Sequence, residues 1–329
     1  MVPERHRGVP EDYNLIPAKP LPRRTPAQRA YWVLRTSLIL FVILAIFAYV
    51  GGSVYMAADV GDAPRDVPQV QDQLGSNVEA VGFHSRGDGI VLEGWLVHAA
   101  HPNGRSVIMV SGWKSTRVNV VDVPVGHDLA AHGYDLLLFD TRGAGASLGA
   151  RQTLGNLEQH DVLGAYDFLK GRGYAPNRMT VYGFSAGAAT AILAAPQISD
   201  VAAFVCDSSY DNLRPLLEQQ WSARTHLVAA TDWLAIQVAK FFDINPDLRP
   251  IDTVREHPER AFLFFHAQGD GLIPVADSVA LKGATSNPQS VLLVVAQGTA
   301  HLDTYAREPA LYLSTLYGFI NQQISSHGG

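Results

Sequence analysis

The pattern of apolar positions divides the chain into one long apolar segment and a series of short apolar runs. The segment from Thr36 to Ala58 contains no charged residue, and its centre reads LILFVILAIFAYV. A helix needs about 20 apolar residues to cross the hydrocarbon layer of a membrane, because each residue rises only about 1.5 Å and lipid offers the backbone no hydrogen-bond partner. The pattern therefore predicts one transmembrane helix over residues 36–58.

After this segment, from about Asn77 to Ile324, short β-rich runs alternate with longer stretches of helical periodicity. The first two runs are joined by SRGDG, whose glycines suit a tight turn and an antiparallel hairpin. The later runs are continuously apolar, as strands of a parallel sheet buried on both faces must be. The runs are Val78–Phe83, Ile90–Val97, Val107–Val110, Asp135–Phe139, Met179–Tyr182, Ala202–Cys206, Phe262–His266 and Val291–Val295. The alternation predicts an α/β fold with a mostly parallel sheet covered by helices on both faces.

One stretch, from Asp211 to Arg260, interrupts this rhythm. It is long, rich in leucine and aromatic residues, and followed by further strands. Insertions at strand ends lie where open α/β sheets bind ligands, so we interpret it as a helical lid at about 211–260. The alternative is that its aromatic residues only complete the core. The predicted organisation is a basic, Pro-rich tail at 1–35, the transmembrane helix at 36–58, a linker at 59–76 and the α/β domain at 77–329.

The two flanks of the apolar segment differ in charge. Basic residues precede it, whereas Asp59, Asp62 and Asp66 outnumber Arg65 just after it. The positive-inside rule then places the N-terminus in the cytoplasm and the α/β domain on the opposite side of the membrane. The basic residues are Arg5, Arg7, Lys19, Arg23, Arg24, Arg29 and Arg35. Six prolines are expected to break any regular element in the tail: Pro3, Pro10, Pro17, Pro20, Pro22 and Pro26.

A removable signal peptide is the alternative to an uncleaved anchor, because such peptides also place positive charge before an apolar core. Against it, about 35 residues precede the segment and no convincing small-x-small cleavage site follows it. The core is also longer than the roughly 7–15 apolar positions usual in signal peptides. The sequence therefore favours an uncleaved anchor.

Composition excludes several other classes of function. The formal net charge is −6, and no stripe of Lys and Arg with interleaved aromatic residues occurs, which disfavours nucleic acid as a partner. The single cysteine, Cys206, lies in an apolar run, so an internal disulfide is impossible and we expect a buried core residue. No grouping of His, Cys, Asp and Glu has metal-ligand spacing, so we predict neither a metal nor another cofactor.

The residues from Thr180 to Ala189 read TVYGFSAGAA, an apolar strand that runs through a Gly-x-Ser-x-Gly turn into an Ala-rich helix. Such a turn strains the central serine and lifts its hydroxyl above the sheet. Gly183 and Gly187 are needed because a side chain at either position would collide with neighbouring backbone. The helix that follows adds amides and the positive end of its dipole beside the reacting oxygen. The pattern predicts Ser185 as a nucleophile.

Serine is a weak nucleophile at neutral pH and needs a base oriented by a carboxylate. With this strand–turn–helix unit, the acid follows the nucleophile along the chain and the base comes last. The strand ending at His266 continues as AQGDGLIP, so Asp270 is the predicted acid, and Pro274 is expected to start the next helix. Asp207 and Asp303 are the alternative acids.

The predicted base is His301, which the segment AQGTAHLD places on the loop after the last strand. Three other histidines were considered, His266, His160 and His127, but none lies after that strand. We expect His266, at the end of its strand, to brace the Asp270 loop instead.

Acyl transfer also requires donors for the developing oxyanion. One is expected from the residue after the nucleophile, Ala186, and the other from the loop VSGWKSTR after the third strand. We predict the backbone amides of Trp113 and Ala186, with the Trp113 side chain as a wall of the pocket.

The glycine-rich segment FDTRGAGAS, residues 139–147, resembles a phosphate-binding loop at first sight. It lacks the Lys and the full spacing of a nucleotide loop, and no acidic ribose partner is placed for a dinucleotide site. We therefore predict a structural role, in which Asp140 and Arg142 hydrogen-bond neighbouring loops and hold the oxyanion loop.

The segments VSGWKSTR, FDTRGAGAS, YGFSAGAA, HAQGDGLIP and QGTAH, in this order, resemble the motif series of alpha/beta hydrolases over roughly residues 77–324. Within that superfamily the chain most resembles membrane-anchored alpha/beta-hydrolase-domain proteins and the serine aminopeptidase-like branch, which include esterases, thioesterases, lipid hydrolases and peptidases. The resemblance implies an eight-stranded sheet with a small helical lid and no cofactor. Carried over motif by motif, it implies the same site: Ser185, Asp270 and His301, with the amides of Trp113 and Ala186.

Two positions depart from the family pattern. Members usually have His-Gly in the oxyanion loop, where this chain has Ser111-Gly112, and a second Gly after the strand-end His, where it has Ala267. The first departure bears on the rigidity of the loop and on the role of Trp113.

These features predict a serine hydrolase that cleaves an ester-type bond through an acyl-enzyme, with a lipid-like acyl substrate suggested by the apolar lid and the adjacent bilayer. A membrane-tethered peptidase is the alternative, in which Glu218 or Asp232 of the lid would bind a peptide terminus. A non-catalytic binding protein on the same fold and a transferase that uses an alcohol in place of water also stay open. The sequence leaves the acyl chain, the leaving group and the oligomeric state open.

Overall fold

The chain divides into two units, Met1–Tyr49 and Val50–Gly329. The structure, a computed structural model, describes residues 24–75, 77–118, 121–225 and 232–327. Most of the predicted basic tail, including Arg5, Arg7, Lys19 and Arg23 and all its prolines except Pro26, therefore lies outside the described residues.

The apolar segment lies within one long helix, α1, which spans Pro26–Val60. Its length and hydropathy would allow it to cross a membrane, although a signal sequence passes the same test. The prediction that Pro26 breaks regular structure was wrong, because proline is tolerated in the first turn of a helix, where its missing N–H has no acceptor. At its other end α1 continues two residues beyond the predicted boundary, into the predicted linker.

The predicted eight-stranded sheet is confirmed. Its strands are β1 Val78–His84, β2 Val91–Val97, β3 Arg105–Val110, β4 Tyr134–Phe139, β5 Met179–Phe184, β6 Ala203–Asp207, β7 Phe262–Ala267 and β8 Val291–Val295. The spatial order is β1-β2-β4-β3-β5-β6-β7-β8. As predicted, β1 and β2 pair in antiparallel fashion; β2 is antiparallel to β4, and the later pairs are parallel. The strand that leads to Ser185, β5, lies in the interior of the sheet.

The remaining helices in the described part of the chain follow the strands. They are α2 Asp122–Ala131, α3 Glu158–Gly171, α4 Ala186–Ala194, α5 Leu213–Thr225, α6 Trp233–Ala239, α7 Pro250–Glu256, α8 Val275–Ala284, α9 Thr304–Arg307 and α10 Pro309–His327. One face of the sheet packs against α3, α4, α7 and α8, and the other packs against α2 and α10. Short 3₁₀ turns lie at Gln71–Leu74, Pro176–Arg178, Ala195–Gln197 and Lys240–Phe242.

Strand β3 shows why the runs are continuously apolar. Ile108 and Val110 pack in the core on the α3 and α4 side, whereas Val107 and Met109 pack on the α2 side. Successive side chains of a strand point to opposite faces, so both sets must be apolar. The same pattern in β6 buries Cys206 completely, and this burial raises the pKa of its thiol.

The predicted lid, 211–260, consists of two parts. Residues 226–231 lie outside the described part of the chain. Helices α5 and α6 form a third apolar cluster, which includes Leu217, Trp221 and Ile236 and lies beside Ala186. Helix α7 instead joins the helix layer of the sheet, with Val254 buried in that core.

Candidate active site

The turn between β5 and α4 holds Ser185 in a strained backbone conformation, with φ of 57° and ψ of −123°. A Cβ on Gly183 would lie 2.2 Å from the carbonyl oxygen of Gly187, and one on Gly187 would lie 2.1 Å from that of Val110. Both glycines are therefore required by close backbone approach, as the sequence predicted. The Ser185 amide donates to the Asp207 carbonyl over 2.8 Å, which fixes the turn to the neighbouring strand.

The three side chains predicted from the sequence meet above the ends of β5, β7 and β8. His301 Nε2 lies 2.8 Å from Ser185 Oγ, and His301 Nδ1 lies 2.7 Å from Asp270 Oδ2. The side chain of His301 is 19% exposed, whereas that of Asp270 is fully buried. One edge of the imidazole therefore contacts the serine and the other contacts a carboxylate shielded from water.

The surroundings of Asp270 favour its ionised form. Burial by itself would raise the pKa of this carboxyl, but hydrogen bonds from His266 and His301 outweigh it and hold the pKa below its ordinary range. The amides of Leu272 and Ile273 also donate to Asp270 Oδ1, over 2.9 and 3.0 Å. A carboxylate that accepts several hydrogen bonds remains charged at neutral pH.

His266 is fully buried beneath the Asp270 loop. Its Nε2 lies 2.9 Å from the Ile273 carbonyl and its Nδ1 lies 2.7 Å from Ser278 Oγ. The same Nε2 lies 3.4 Å from Asp270 Oδ2. These contacts fit the predicted bracing role. The helix expected to start at Pro274 begins one residue later, with Pro274 as its N-cap.

The alternative acids and bases lie in other environments. Asp207 is buried and accepts a hydrogen bond of 2.6 Å from Tyr312, while Asp303 binds the Thr299 amide and Arg307. Among the other histidines considered, the side chain of His127 is 61% exposed, and the backbone carbonyl of His160 accepts from Arg86.

The predicted oxyanion loop, residues 111–116, passes beside Ser185. A Cβ on Gly112 would lie 3.0 Å from both the Phe184 carbonyl oxygen and the Cβ of Ser185, which is closer than ordinary van der Waals contact. The next residues, Trp113 and Lys114, follow at once, and Lys114 adopts a left-handed backbone conformation with φ of 51°. Ala186 is the first residue of α4, where an amide has no acceptor within its own helix.

Ser111 contacts a buried carboxyl group. Its hydroxyl donates to Asp122, the first residue of α2, which is completely buried. Burial raises the pKa of Asp122 to about 7, against the opposing effect of the Ser111 hydrogen bond. The loop is thus fixed to α2 through a side chain that titrates near neutrality.

The glycine-rich segment wraps around Asp140. Asp140 accepts hydrogen bonds from the amides of Arg117 and Ala146 at 2.7 and 2.9 Å, and a Cβ on Gly145 would lie 2.1 Å from its Oδ2. Arg142 forms a buried ion pair of 2.6 Å with Asp161. Because Arg117 directly follows the 111–116 loop, Asp140 holds one end of it.

A cavity with an empty volume of about 450 Å³, including its open mouth, lies beside Ser185. Apart from Ser185 and Gln220 its walls are apolar: Val60, Trp113, Leu154, Ala186, Leu216, Leu217, Trp221, Leu272 and Ile273. Neither Glu218 nor Asp232 is among the described residues that line it, and Asp232 is instead buried where it accepts from Ser222 over 2.9 Å. The cavity therefore suits an apolar group held beside Ser185.

Comparison with known proteins supports the fold. The family model described as serine aminopeptidase, S33, matches residues 101–256. The solved structure of the Pyrococcus furiosus esterase PF2001 superposes with a TM-score of 0.68 at 23% identity, over 80% of this chain and 98% of that one. The alpha/beta hydrolase GrgF from a Penicillium species superposes with a TM-score of 0.61 at 17% identity, over 76% of this chain and 100% of that one.

The chain has the alpha/beta-hydrolase fold. Two further proteins are similar to this chain. A Bacillus subtilis protein named "Uncharacterized protein YqkD" is 26% identical over 251 residues, which are 72% of this chain and 78% of the relative. Est1E from Butyrivibrio proteoclasticus, solved with ferulic acid bound, has a TM-score of 0.58 at 20% identity, over 75% of this chain and all of its own.

Several residues at the site could not be identified from the sequence. Val60 belongs to the long apolar helix, and nothing in its composition shows that it lines a cavity beside Ser185. Asp122 and Gln152 lie outside the motifs, yet they contact Ser111 and Lys114. Leu216 is one of many apolar residues in the predicted lid, and nothing in the sequence distinguished it from the others.

Proposed function

We propose that this protein is a membrane-anchored serine hydrolase that cleaves an ester-type bond through an acyl-Ser185 intermediate. The observation that carries the proposal is the continuous chain of contacts from Ser185 Oγ through His301 to Asp270, at 2.8 and 2.7 Å. A nucleophile, a base and an orienting carboxylate at hydrogen-bond distance are the requirements for acyl transfer by serine.

In the first half-reaction Ser185 Oγ attacks the carbonyl carbon of the substrate while its proton passes to His301 Nε2. With Asp270 ionised, the Nδ1 proton of His301 points to the carboxylate, which orients the ring and stabilises the imidazolium. The C–O or C–S bond to the leaving group then breaks, and His301 returns the proton to the departing alcohol or thiol. The acyl group remains on Ser185.

In the second half-reaction His301 removes a proton from water, the hydroxide adds to the acyl carbon, and Ser185 leaves with the proton held by His301. The carboxylic acid is released and the enzyme is restored. We assign the backbone amides of Trp113 and Ala186 to the oxyanion in both steps. Preorganised donors of this kind contribute about 10²–10³ each in rate.

The apolar cavity indicates a carboxylester, thioester or lipid acyl substrate. The substrate's acyl or alcohol group would displace water from walls such as Leu217 and Trp221, which favours binding in proportion to the apolar area buried. A membrane-tethered peptidase is the second candidate, because the matched family model is described as a serine aminopeptidase. The apolar lining of the cavity weighs against it, since a charged peptide terminus would find no acidic partner among the described lining residues.

The test compares wild type and Ser185→Ala, both full length in detergent, with a fluorophosphonate probe and with p-nitrophenyl esters from acetate to long acyl chains. We expect labelling and ester turnover in wild type and their loss in the variant. Aminoacyl-p-nitroanilides test the peptidase in parallel. Turnover of the anilides but not of the esters would reverse the assignment, and ester turnover that survives in Ser185→Ala would refute the proposal.

We further propose that α1 is an uncleaved anchor, with the N-terminus in the cytoplasm and the hydrolase domain across the membrane. Ala57 and Val60 support this, because both are buried in the unit that contains the sheet, so cleavage after Ala57 would remove part of the core of that unit. The charge bias across the segment supports the orientation. Protease digestion of intact cells should degrade the domain but not an N-terminal tag, and the mature protein should retain its N-terminal residues in mass spectrometry.

A further inference from the structure

The last turn of α1 contacts the 111–116 loop through two polar interactions. The indole Nε1 of Trp113 donates to the carbonyl oxygen of Val60 over 2.6 Å, and Lys114 Nζ lies 2.9 Å from Asp59 Oδ2. The side chains of this ion pair are 30% and 23% exposed, so water screens it only in part. All four residues lie in the unit Val50–Gly329.

A third link runs through Gln152. Its backbone amide donates to the carbonyl oxygen of Gly61 over 2.8 Å, directly after the end of α1. Its side-chain Oε1 accepts from the backbone amide of Lys114, also over 2.8 Å. A Cβ on Gly61 would lie 2.7 Å from the Gln152 carbonyl oxygen, so the two segments are closely packed.

These links act on a strained residue. Lys114 has a positive φ of 51°, which is unfavourable for a residue with a side chain. Such conformations persist only where the surrounding structure holds them, and both the backbone amide and the ammonium group of Lys114 are bound here. Relaxation of Lys114 would rotate the peptide between Trp113 and Lys114. That peptide adjoins the one that carries the Trp113 amide, which we assign to the oxyanion.

The same turn forms a wall of the cavity beside Ser185. Val60 lines that cavity opposite the lid residues Leu216 and Trp221. It is 2% exposed, and Ala57, one turn earlier, is completely buried in the same apolar cluster. An acyl chain that enters the cavity would therefore meet the end of α1.

We infer that the last turn of α1 is a working part of the active site. Asp59 is a positioning residue for the 111–116 loop, and Val60 limits the length of the acyl chain that the cavity accepts. This inference rests on the proposed function, because both roles presuppose acyl transfer at Ser185. It assigns to the anchor helix a second task, beyond attachment to the membrane.

The role of Asp59 is tested in the full-length protein with Asp59→Asn, Asp59→Glu and the matched control Asp62→Asn, an exposed aspartate on the next turn. Complete loss of an oxyanion donor costs about 10²–10³ in rate, so a displaced donor should lower kcat about tenfold in Asp59→Asn, with KM within about twofold. The Glu variant, which keeps the charge, should recover most of the loss. Thermal unfolding measured in parallel should show similar midpoints.

Two results would overturn the role of Asp59. One is a kcat for Asp59→Asn equal to that of Asp62→Asn. The other is an effect of Asp59→Asn that is confined to KM or to the unfolding midpoint, or a loss of kcat that Asp59→Glu shares in full.

The role of Val60 is tested with Val60→Phe and the control Val54→Phe, a residue of α1 that is 42% exposed. The larger side chain at position 60 should lower kcat/KM for p-nitrophenyl octanoate about tenfold relative to the acetate, because the octanoate methylenes that it displaces from the cavity are no longer buried against apolar walls. The control should keep the wild-type ratio. An equal change for both esters in Val60→Phe would refute this role.

Ser185→Ala separates the two levels of the argument. If ester turnover depends on Ser185 but Asp59→Asn and Val60→Phe behave like their controls, the proposed function stands and the inference about α1 fails. If turnover persists without Ser185, the proposed function itself fails.

Discussion

His301 Nδ1 lies 2.7 Å from Asp270 Oδ2, and the side chain of Asp270 is fully buried. Hydrogen bonds hold the pKa of this carboxyl below its ordinary range, against the effect of burial, so Asp270 stays ionised throughout the neutral and mildly acidic range. The imidazole is therefore held with its Nδ1 proton toward Asp270 and its Nε2 lone pair toward Ser185.

The first prediction concerns this pair. Asp270→Asn should lower kcat about 10⁴-fold, because an amide that donates to Nδ1 would favour the wrong tautomer of His301 while leaving the fold intact. Initial rates with p-nitrophenyl acetate measure the effect, and Asp303→Asn is the control. A loss smaller than about tenfold would mean that another group orients His301.

The second prediction concerns the turn at the nucleophile. Gly187→Ala should prevent correct folding, since a Cβ there would lie 2.1 Å from the carbonyl oxygen of Val110. The control is Gly318→Ala in α10, where a Cβ meets nothing within 4 Å. The control should be neutral or up to about 1 kcal/mol more stable, because alanine favours helix. Thermal unfolding by circular dichroism compares the two, and a wild-type midpoint for Gly187→Ala would contradict the packing described.

The third prediction compares two arginine–aspartate pairs. Arg142→Met leaves the completely buried Asp161 without its partner and should cost about 3–5 kcal/mol of unfolding free energy. Arg86→Met breaks a pair whose side chains are 32% and 50% exposed, and it should cost less than about 1 kcal/mol. Urea unfolding gives both values. Equal losses of unfolding free energy in the two variants would contradict the expectation that the buried pair contributes more than the exposed one.

The fourth prediction is a pH dependence that arises from Asp122. Its pKa is raised by burial to about 7 in the folded protein, above the ordinary value of 3.8. Between these values the folded state binds more protons than the unfolded state, so this group contributes stability at acidic pH that is lost as the pH rises through 7. The loss amounts to roughly 1.4 kcal/mol per pH unit for one proton.

Asp122→Asn removes this titration. The difference in unfolding free energy between wild type and variant should therefore shift in favour of the variant as the pH rises from 5 to 8. Urea unfolding at several pH values measures this difference. A difference that is constant across the range would show that Asp122 does not titrate there.

Much of the fold could be predicted because its physical causes are local. A strand buried on both faces is apolar along most of its length, which made the runs of β3 to β7 visible. The turn around Ser185 requires glycines at fixed spacing, and the order of acid and base follows from that turn. The contacts of Ser185, His301 and Asp270 are those that the sequence led us to expect, although their catalytic roles remain a proposal.

The remaining features depend on contacts that no local pattern encodes. Asp122 meets Ser111 across a loop, and Gln152 meets Gly61 from a distant part of the chain. Helix α7 lies within the stretch predicted as the lid, and only the packing of Val254 shows that this helix covers the sheet. Val60 falls in the predicted linker, and only its packing shows that it lines a cavity.

The burial of Cys206 within β6 has a practical consequence. It is the protein's only cysteine, it has no exposed surface, and its thiol ionises less readily than usual. Thiol reagents attack the thiolate, so the native protein should resist modification until the interior of the sheet opens. The rate at which such a reagent labels Cys206 thus reports how often the sheet opens. A cysteine introduced on the surface would be labelled selectively, without removal of the native one.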